Sequence, residues 1–294
     1  MASNPKLDAY RSLIKEGSTK DDFLARGFYA IEGQVGSGKT SLAASISPDF
    51  PVKPGETDVV LSDLAWVAID TGALDVLKAQ RIRPALEFDF ADFQAAHDGN
   101  PVSAMQTIQA LIKETSVGTV VFDTVSQFDV QMDAYLRLPQ NRMLWSRGEP
   151  PQFDMQMFYG QIKQWHTFFH AQTRLLRKRV LYLFHTQADK ADLAARTADQ
   201  KTAVARDEKA TGMPGSPDVV MAVTGASRDV YPRDMSLVMT VLAKPNGKGG
   251  LKRSVLTQVK DGFQAKSRYE AMLLPEEEPN LATILTKVRK ASGL

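Results

Sequence analysis

FYAIEGQVGSGKT, residues 28–40, decides the fold. The apolar start suits a buried strand, and residues 33–40 fit the pattern G-x-x-x-x-G-K-[ST], which joins a strand to a helix. Gly33, Gly36 and Gly38 let the backbone turn tightly and aim its N–H groups at phosphate oxygens. SLAASIS then reads as a helix whose start adds the positive end of its dipole. Lys39 is placed to reach the β and γ phosphates, and the Thr40 hydroxyl to ligate Mg²⁺. The expected cradle comprises Gly33, Gln34, Val35, Gly36, Ser37, Gly38, Lys39, Thr40 and Ser41. It leaves open whether the phosphate is transferred, hydrolysed or sensed.

The surrounding chain is ordinary in composition. With 43% apolar residues in 294, it has the material for one large α/β core. A net charge of +2, from 36 basic and 34 acidic residues, gives no global drive toward nucleic acid. The absence of cysteine excludes disulfides, thiol catalysis and cysteine–zinc sites. No apolar run approaches the roughly 20 residues needed to span a bilayer, and the N-terminus has no signal-like apolar stretch. The expectation is a soluble, cytoplasmic protein.

Working outward from the loop, LAWVAID (64–70), ALEFDF (85–90), TVVFD (119–123) and RVLYLFH (179–185) read as strands. Residues 101–116, 125–138 and 153–178 read as helices, and 48–58, 139–152 and 188–217 as loops. DVVMAVTG, SLVMTVLA and RSVLTQV follow as successive strands, and LATILTKVRKASGL as an amphipathic C-terminal helix. Strands alternating with helices, then strands in succession, predict an α/β fold with a mainly parallel sheet and an antiparallel extension. The expected divisions are an N-terminal arm (1–25), a core (26–270) and a C-terminal tail helix (271–294).

Three further features bear on chemistry. TVVFD ends a buried strand in a carboxylate, which places Asp123 beside the loop to hold Mg²⁺, although an Asp that caps the next helix fits the same residues. Gln187, just past an apolar strand, suits a γ-phosphate contact or an ordinary loop start; His185 before it reads as a strand-end residue. His166 and His170 sit at helical spacing but lack the glutamate of H-E-x-x-H and have Trp and Phe neighbours, so a packed helix face is expected. The basic run 174–179 suits contact with nucleic acid or, equally, a basic last helical turn that complements the dipole.

The order of these elements resembles the RecA-type ATPase core over roughly residues 26 to 270. TVVFDTVSQF resembles its Walker B strand, and AKSR (265–268) resembles the K-x-R segment that such enzymes insert into a neighbouring subunit's site. The pattern is closest to the compact bacteriophage RecA-like ATPases linked to single-strand annealing and recombination. That resemblance implies ATP and Mg²⁺ as cofactors, a ring or filament as the assembly, and host cytoplasm as the location if the chain is phage-encoded. It also implies single-stranded DNA and a phage single-strand-binding or annealing protein as partners. It makes Lys266 and Arg268 trans-acting cations, though exposed strand-end charges fit them as well. RecA-type enzymes carry a catalytic glutamate after the second strand, where this chain has Thr71-Gly72. Asp70 is the expected substitute, with Asp75 as the competitor.

By the same resemblance, two loops grip DNA. The matching segments hold Arg142, Trp145 and Arg147, and Lys190, Arg196, Lys201, Arg206 and Lys209, so that Trp145 stacks on bases while the arginines pair with phosphates; a surface loop whose Trp packs inward fits the same residues. The competing readings are a helicase-type or packaging motor on the same core, and a nucleotide-gated switch with little turnover. A P-loop kinase fits less well, since no substrate lid is recognisable.

Overall fold

Alternating side chains along the central strands build two apolar cores, one on each face of a single sheet. A computed structural model describes residues 26–51, 55–141, 144–145, 152–153, 155–188, 219–223, 227, 230–246, 250–259 and 265–291. In chain order these form β1 (Phe28–Gly33), α1 (Lys39–Ala44), β2 (Val59–Ala68), α2 (Asp75–Ala79), β3 (Ile82–Asp89), α3 (Phe90–Ala96) and α4 (Pro101–Glu114). Then come β4 (Thr119–Asp123), α5 (Val125–Arg137), β5 (Leu144–Trp145), β6 (Gln152–Phe153), α6 (Met155–Arg174), β7 (Arg179–Ala188) and β8 (Val219–Met221). The last are α7 (Val230–Asp234), β9 (Leu237–Pro245), β10 (Leu251–Leu256), β11 (Lys266–Ser267), β12 (Glu276–Glu277) and α8 (Leu281–Ala291).

The sheet runs in the order β12-β10-β9-β1-β7-β4-β2-β3. From β9 to β3 all neighbours are parallel. β10, β12, β11 and β8 add antiparallel pairs. One face stacks Ala30, Val120, Phe122 and Tyr182 against α4, α5 and α6. The other stacks Tyr29, Ile31, Val121 and Leu183 against α1, α2 and α8. This is the expected α/β architecture: a mainly parallel sheet with helices on both faces and an antiparallel extension. Strands buried on both faces read as continuous apolar runs, which is why TVVFD and RVLYLF were legible. α4 begins where the Asn100 side chain accepts from the Val102 and Ser103 N–H groups, with Pro101 at the first position.

Local boundaries differ from expectation. β2 begins at Val59 and ends at Ala68, so Asp70 stands two residues beyond the strand. β7 runs on to Ala188, past both His185 and Gln187. Segment 139–152, expected as a loop, contains a 3-10 turn (Pro139–Asn141) and strand β5, which pairs with β6. α6 stops at Arg174, and Lys178 of the basic run is buried, donating to the carbonyls of Thr115 and Val117 at 2.9 and 2.5 Å. That residue is a structural anchor, not part of a charged helix end. Among the described residues no helix is long and apolar enough to cross a membrane.

Candidate functional site

The parallel strands bring their carboxyl ends to one edge, and the loop after β1 lies along it. Gly33 ends β1 where a Cβ would come within 2.6 Å of Ser37 Oγ and 3.0 Å of the Val241 carbonyl, so a side chain is excluded there. Gly36 and Gly38 turn the loop with φ of 77° and 104°, conformations that side chains rarely adopt. Gly38 is also the N-cap of α1 and no side chain caps it, whereas α3, α4 and α5 are capped by Asp89, Asn100 and Thr124. The first-turn N–H groups of α1, from Lys39, Thr40 and Ser41, are therefore left for an anion.

Lys39 folds back over its own loop. Its Nζ donates to the carbonyls of Gly33 and Gln34, both at 2.9 Å, and lies 3.4 Å from His185 Nδ1. Burial pulls the ammonium pKa down from 10.5 to about 8, against the opposing pull of Asp123 and Asp70. Asp123, the last residue of β4, is 2% exposed and accepts from Thr40 Oγ1 at 3.0 Å. Burial pushes its carboxyl up from 3.8 to about 6, and the Thr40 hydrogen bond and the Lys39 charge hold it from rising further. The helix cap after it is Thr124, not Asp123.

Thr40 and the buried Asp123 carboxylate thus meet as two hard oxygen donors, a set that fits Mg²⁺. Among the described residues no three carboxylate or imidazole groups form a protein-only cage. A divalent ion here would take Thr40 and Asp123 from the protein and the rest of its shell from phosphate oxygens and water.

Asp70 closes the far side. Its Oδ1 accepts from the Gly72 N–H at 3.3 Å, and its Oδ2 lies 3.7 Å from His185 Nε2. Lys39, Thr40, Asp70, Asp123 and His185 line one cavity of about 620 Å³, and Gly72 borders it. Asp75 begins α2 and is not among the lining residues. His185, expected only as a strand-end residue, joins the cavity lining. Its register partner is Gly33, the first residue of the loop, so β7 delivers it straight to the site. Burial and the Lys39 charge lower its pKa, against the pull of Asp70. The available signal was that it is the first polar side chain at the carboxyl end of an apolar strand.

A family model described as an AAA domain matches residues 28–269. The chain belongs to the AAA domain family. The chain is accordingly a nucleotide-binding ATPase domain. No curated protein matches it. Among solved structures this AAA domain is similar to a KaiC-like protein of the hyperthermophilic archaeon Pyrococcus horikoshii OT3. The two are 12% identical with a TM-score of 0.39, over 78% of this chain and 77% of that one.

The remaining candidates lie elsewhere. Gln187 sits on β7 opposite Val220, and its side chain is outside the described set. Lys266 is on β11 and Arg268 directly after it; Lys266 Nζ donates to the Pro232 and Arg233 carbonyls at 2.7 and 3.4 Å, and Arg268 Nη2 to Arg233 at 3.4 Å. Of the residues expected to bind DNA, Arg142, Arg147, Lys201 and Arg206 lie outside the described residues. So do Lys190, Arg196 and Lys209. Trp145 is described only as backbone, in β5.

Proposed function

We propose that this AAA domain is a Mg²⁺-dependent, RecA-like ATPase that works as a ring or filament on single-stranded DNA in recombination or annealing. The observation that carries the ATPase reading is the convergence of Lys39, Thr40, Asp123, Asp70 and His185 on one cavity at the loop edge of the sheet. Lys39 leaves its loop carbonyls for the phosphates and offsets charge on the γ-phosphoryl oxygens. Mg²⁺, when bound, supplies further charge neutralisation across the phosphates. Asp70 takes the proton of the attacking water, directly or through His185, as the new P–O bond forms and ADP departs with the bridging oxygen. Gln187, one turn of the pleat beyond His185, relays the nucleotide state to the segment after β7.

The DNA part rests on the resemblance to phage annealing ATPases and on the basic and aromatic content of segments 139–152 and 188–216. A single-strand-binding or annealing protein is the proposed protein partner, and the host cytoplasm the proposed location.

A second reading has one observation in its favour. Thr71-Gly72 stands where the resemblance puts a glutamate, which suits a switch that binds nucleotide and turns it over slowly. ATP hydrolysis by the full chain, with and without single-stranded DNA and with oligomeric state followed in parallel, decides between them. Stimulation by DNA and turnover that rises with protein concentration support the ATPase. Tight nucleotide binding with negligible turnover under every condition establishes the switch. Asp70→Ala is expected to lower turnover at least tenfold with nucleotide binding retained, and Asp75→Ala to leave it unchanged.

A further inference from the structure

We propose that Arg253 is a binding residue for the nucleotide's phosphate chain, delivered to the P-loop from β10 of the same molecule. The inference rests on the nucleotide reading above and assigns that site a cation that no motif in the sequence supplies. Arg253 stands on β10, opposite Ala243 of β9, in the antiparallel extension. Its Nε donates to the Ser37 carbonyl at 3.0 Å, across 216 residues of chain. Its side chain lies so close over Gly38 that a Cβ there would sit 2.9 Å from Nε and 3.0 Å from Cδ.

That contact explains two things at once. It gives the glycine at position 38 a second reason beyond its positive φ, and it pins a flexible side chain to the outside of the loop. It also uses only one of the five N–H donors of the guanidinium. Among the described residues no carboxylate pairs with Arg253, and no acceptor takes its two terminal nitrogens. The side chain is nevertheless exposed and lines the same cavity as Lys39 and Thr40.

An arginine kept only to brace the loop has no need of a free fork facing that cavity. A planar fork held at one edge matches phosphate oxygens at the other, and the ordering entropy has already been spent on the Ser37 contact. Lys39, Arg253, Asp70 and Asp123 all line the cavity, so the protein's own groups there set two cations against two carboxylates. A nucleoside di- or triphosphate adds negative charge that the pair of cations is placed to take.

The test is titration of the full chain with fluorescent ADP and ATP analogues, comparing wild type, Arg253→Gln and Lys39→Ala, with adenosine as competitor. Arg253→Gln is expected to weaken ADP and ATP binding by about tenfold or more. It should leave competition by adenosine unchanged and make affinity less sensitive to salt. A merely structural role predicts a lower melting temperature for the nucleotide-free variant with wild-type affinity and salt dependence; that outcome overturns the proposal. Equal loss for adenosine and ATP also overturns it, because the contact would then be to base or ribose. If Arg253→Gln binds as wild type does while Lys39→Ala does not bind, the proposal fails and the nucleotide reading stands. If the wild type binds neither nucleotide, both fail.

Discussion

One residue before the phosphate loop stands a carboxyl that the motif does not ask for. Glu32 is fully buried; its Oε1 accepts from Thr240 Oγ1 at 2.7 Å, and its Oε2 has no partner among the described residues. Burial pushes its pKa from 4.5 to about 8, with the Thr240 hydrogen bond opposing. The folded chain therefore holds a proton that the unfolded chain releases between those two values. The stabilisation that goes with the protonated carboxyl is complete below about 4.5 and is lost as pH rises through about 8. Glu32→Gln keeps the shape and cannot ionise, so its stability relative to wild type should rise from pH 5 to pH 8 and level off above. Denaturation midpoints across that range measure it; parallel profiles would show that the carboxyl does not titrate with folding. At this scale the sequence was informative where chemistry is local. Lys39 and Thr40 follow from eight contiguous residues, and Asp123 from five. His185 and Arg253 reach the loop from 146 and 216 residues away, and which side chain arrives depends on strand register, which no local pattern states.

At the scale of elements, periodicity located the long strands and helices and missed the short ones. α2, α3 and α7 are five, seven and five residues long, too short to show a helical repeat. The short strand β5 is held by its pairing with β6 and not by its own composition. The histidines of α6 illustrate what pattern alone can say. Their aromatic neighbours correctly indicated a packed face, yet the partners that make burial tolerable lie on other elements. His166 is fully buried, with Nε2 2.7 Å from Asp129 Oδ1 of α5 and Nδ1 2.5 Å from the Tyr231 hydroxyl of α7. Rings of Phe128 and Tyr231 meet it edge-on. One imidazole thus ties the helix that follows Asp123 to the helix beneath Lys266. Removing it leaves a cavity and takes a partner from both polar groups, at a cost of about 3 kcal/mol. His166→Ala should lower the melting temperature by roughly 5 °C or more. A change within a degree would mean that water replaces the ring at no cost.

At the scale of the whole molecule, the positions of the two cationic groups limit how an active site is completed. Lys266 pairs with Val238, and Val238 with Ala30, near the amino ends of β9 and β1. The P-loop leaves the carboxyl end of β1. The K-x-R segment and the phosphate cradle of one chain therefore sit at opposite edges of its sheet, separated by about 10 Å of strand at ~3.3 Å per residue. In one chain Lys266 and Arg268 rest on carbonyls of α7, and the side chain that reaches their own chain's loop from the antiparallel extension is Arg253. In the proposed assembly Lys266 and Arg268 serve a second molecule's cavity, in a head-to-tail arrangement that closes as a ring or continues as a filament. Such an assembly makes a complementation test possible. Lys39→Ala destroys a subunit's cradle and leaves its K-x-R intact. Lys266→Ala/Arg268→Ala does the reverse. Each variant should be nearly inactive alone, while an equal mixture should recover roughly a quarter of wild-type turnover, the share of all sites in which an intact cradle faces a neighbour's intact K-x-R in random head-to-tail assembly. Mixed subunits that assemble together yet recover nothing would show that these two side chains act only within their own chain, as surface charges on the end of α7.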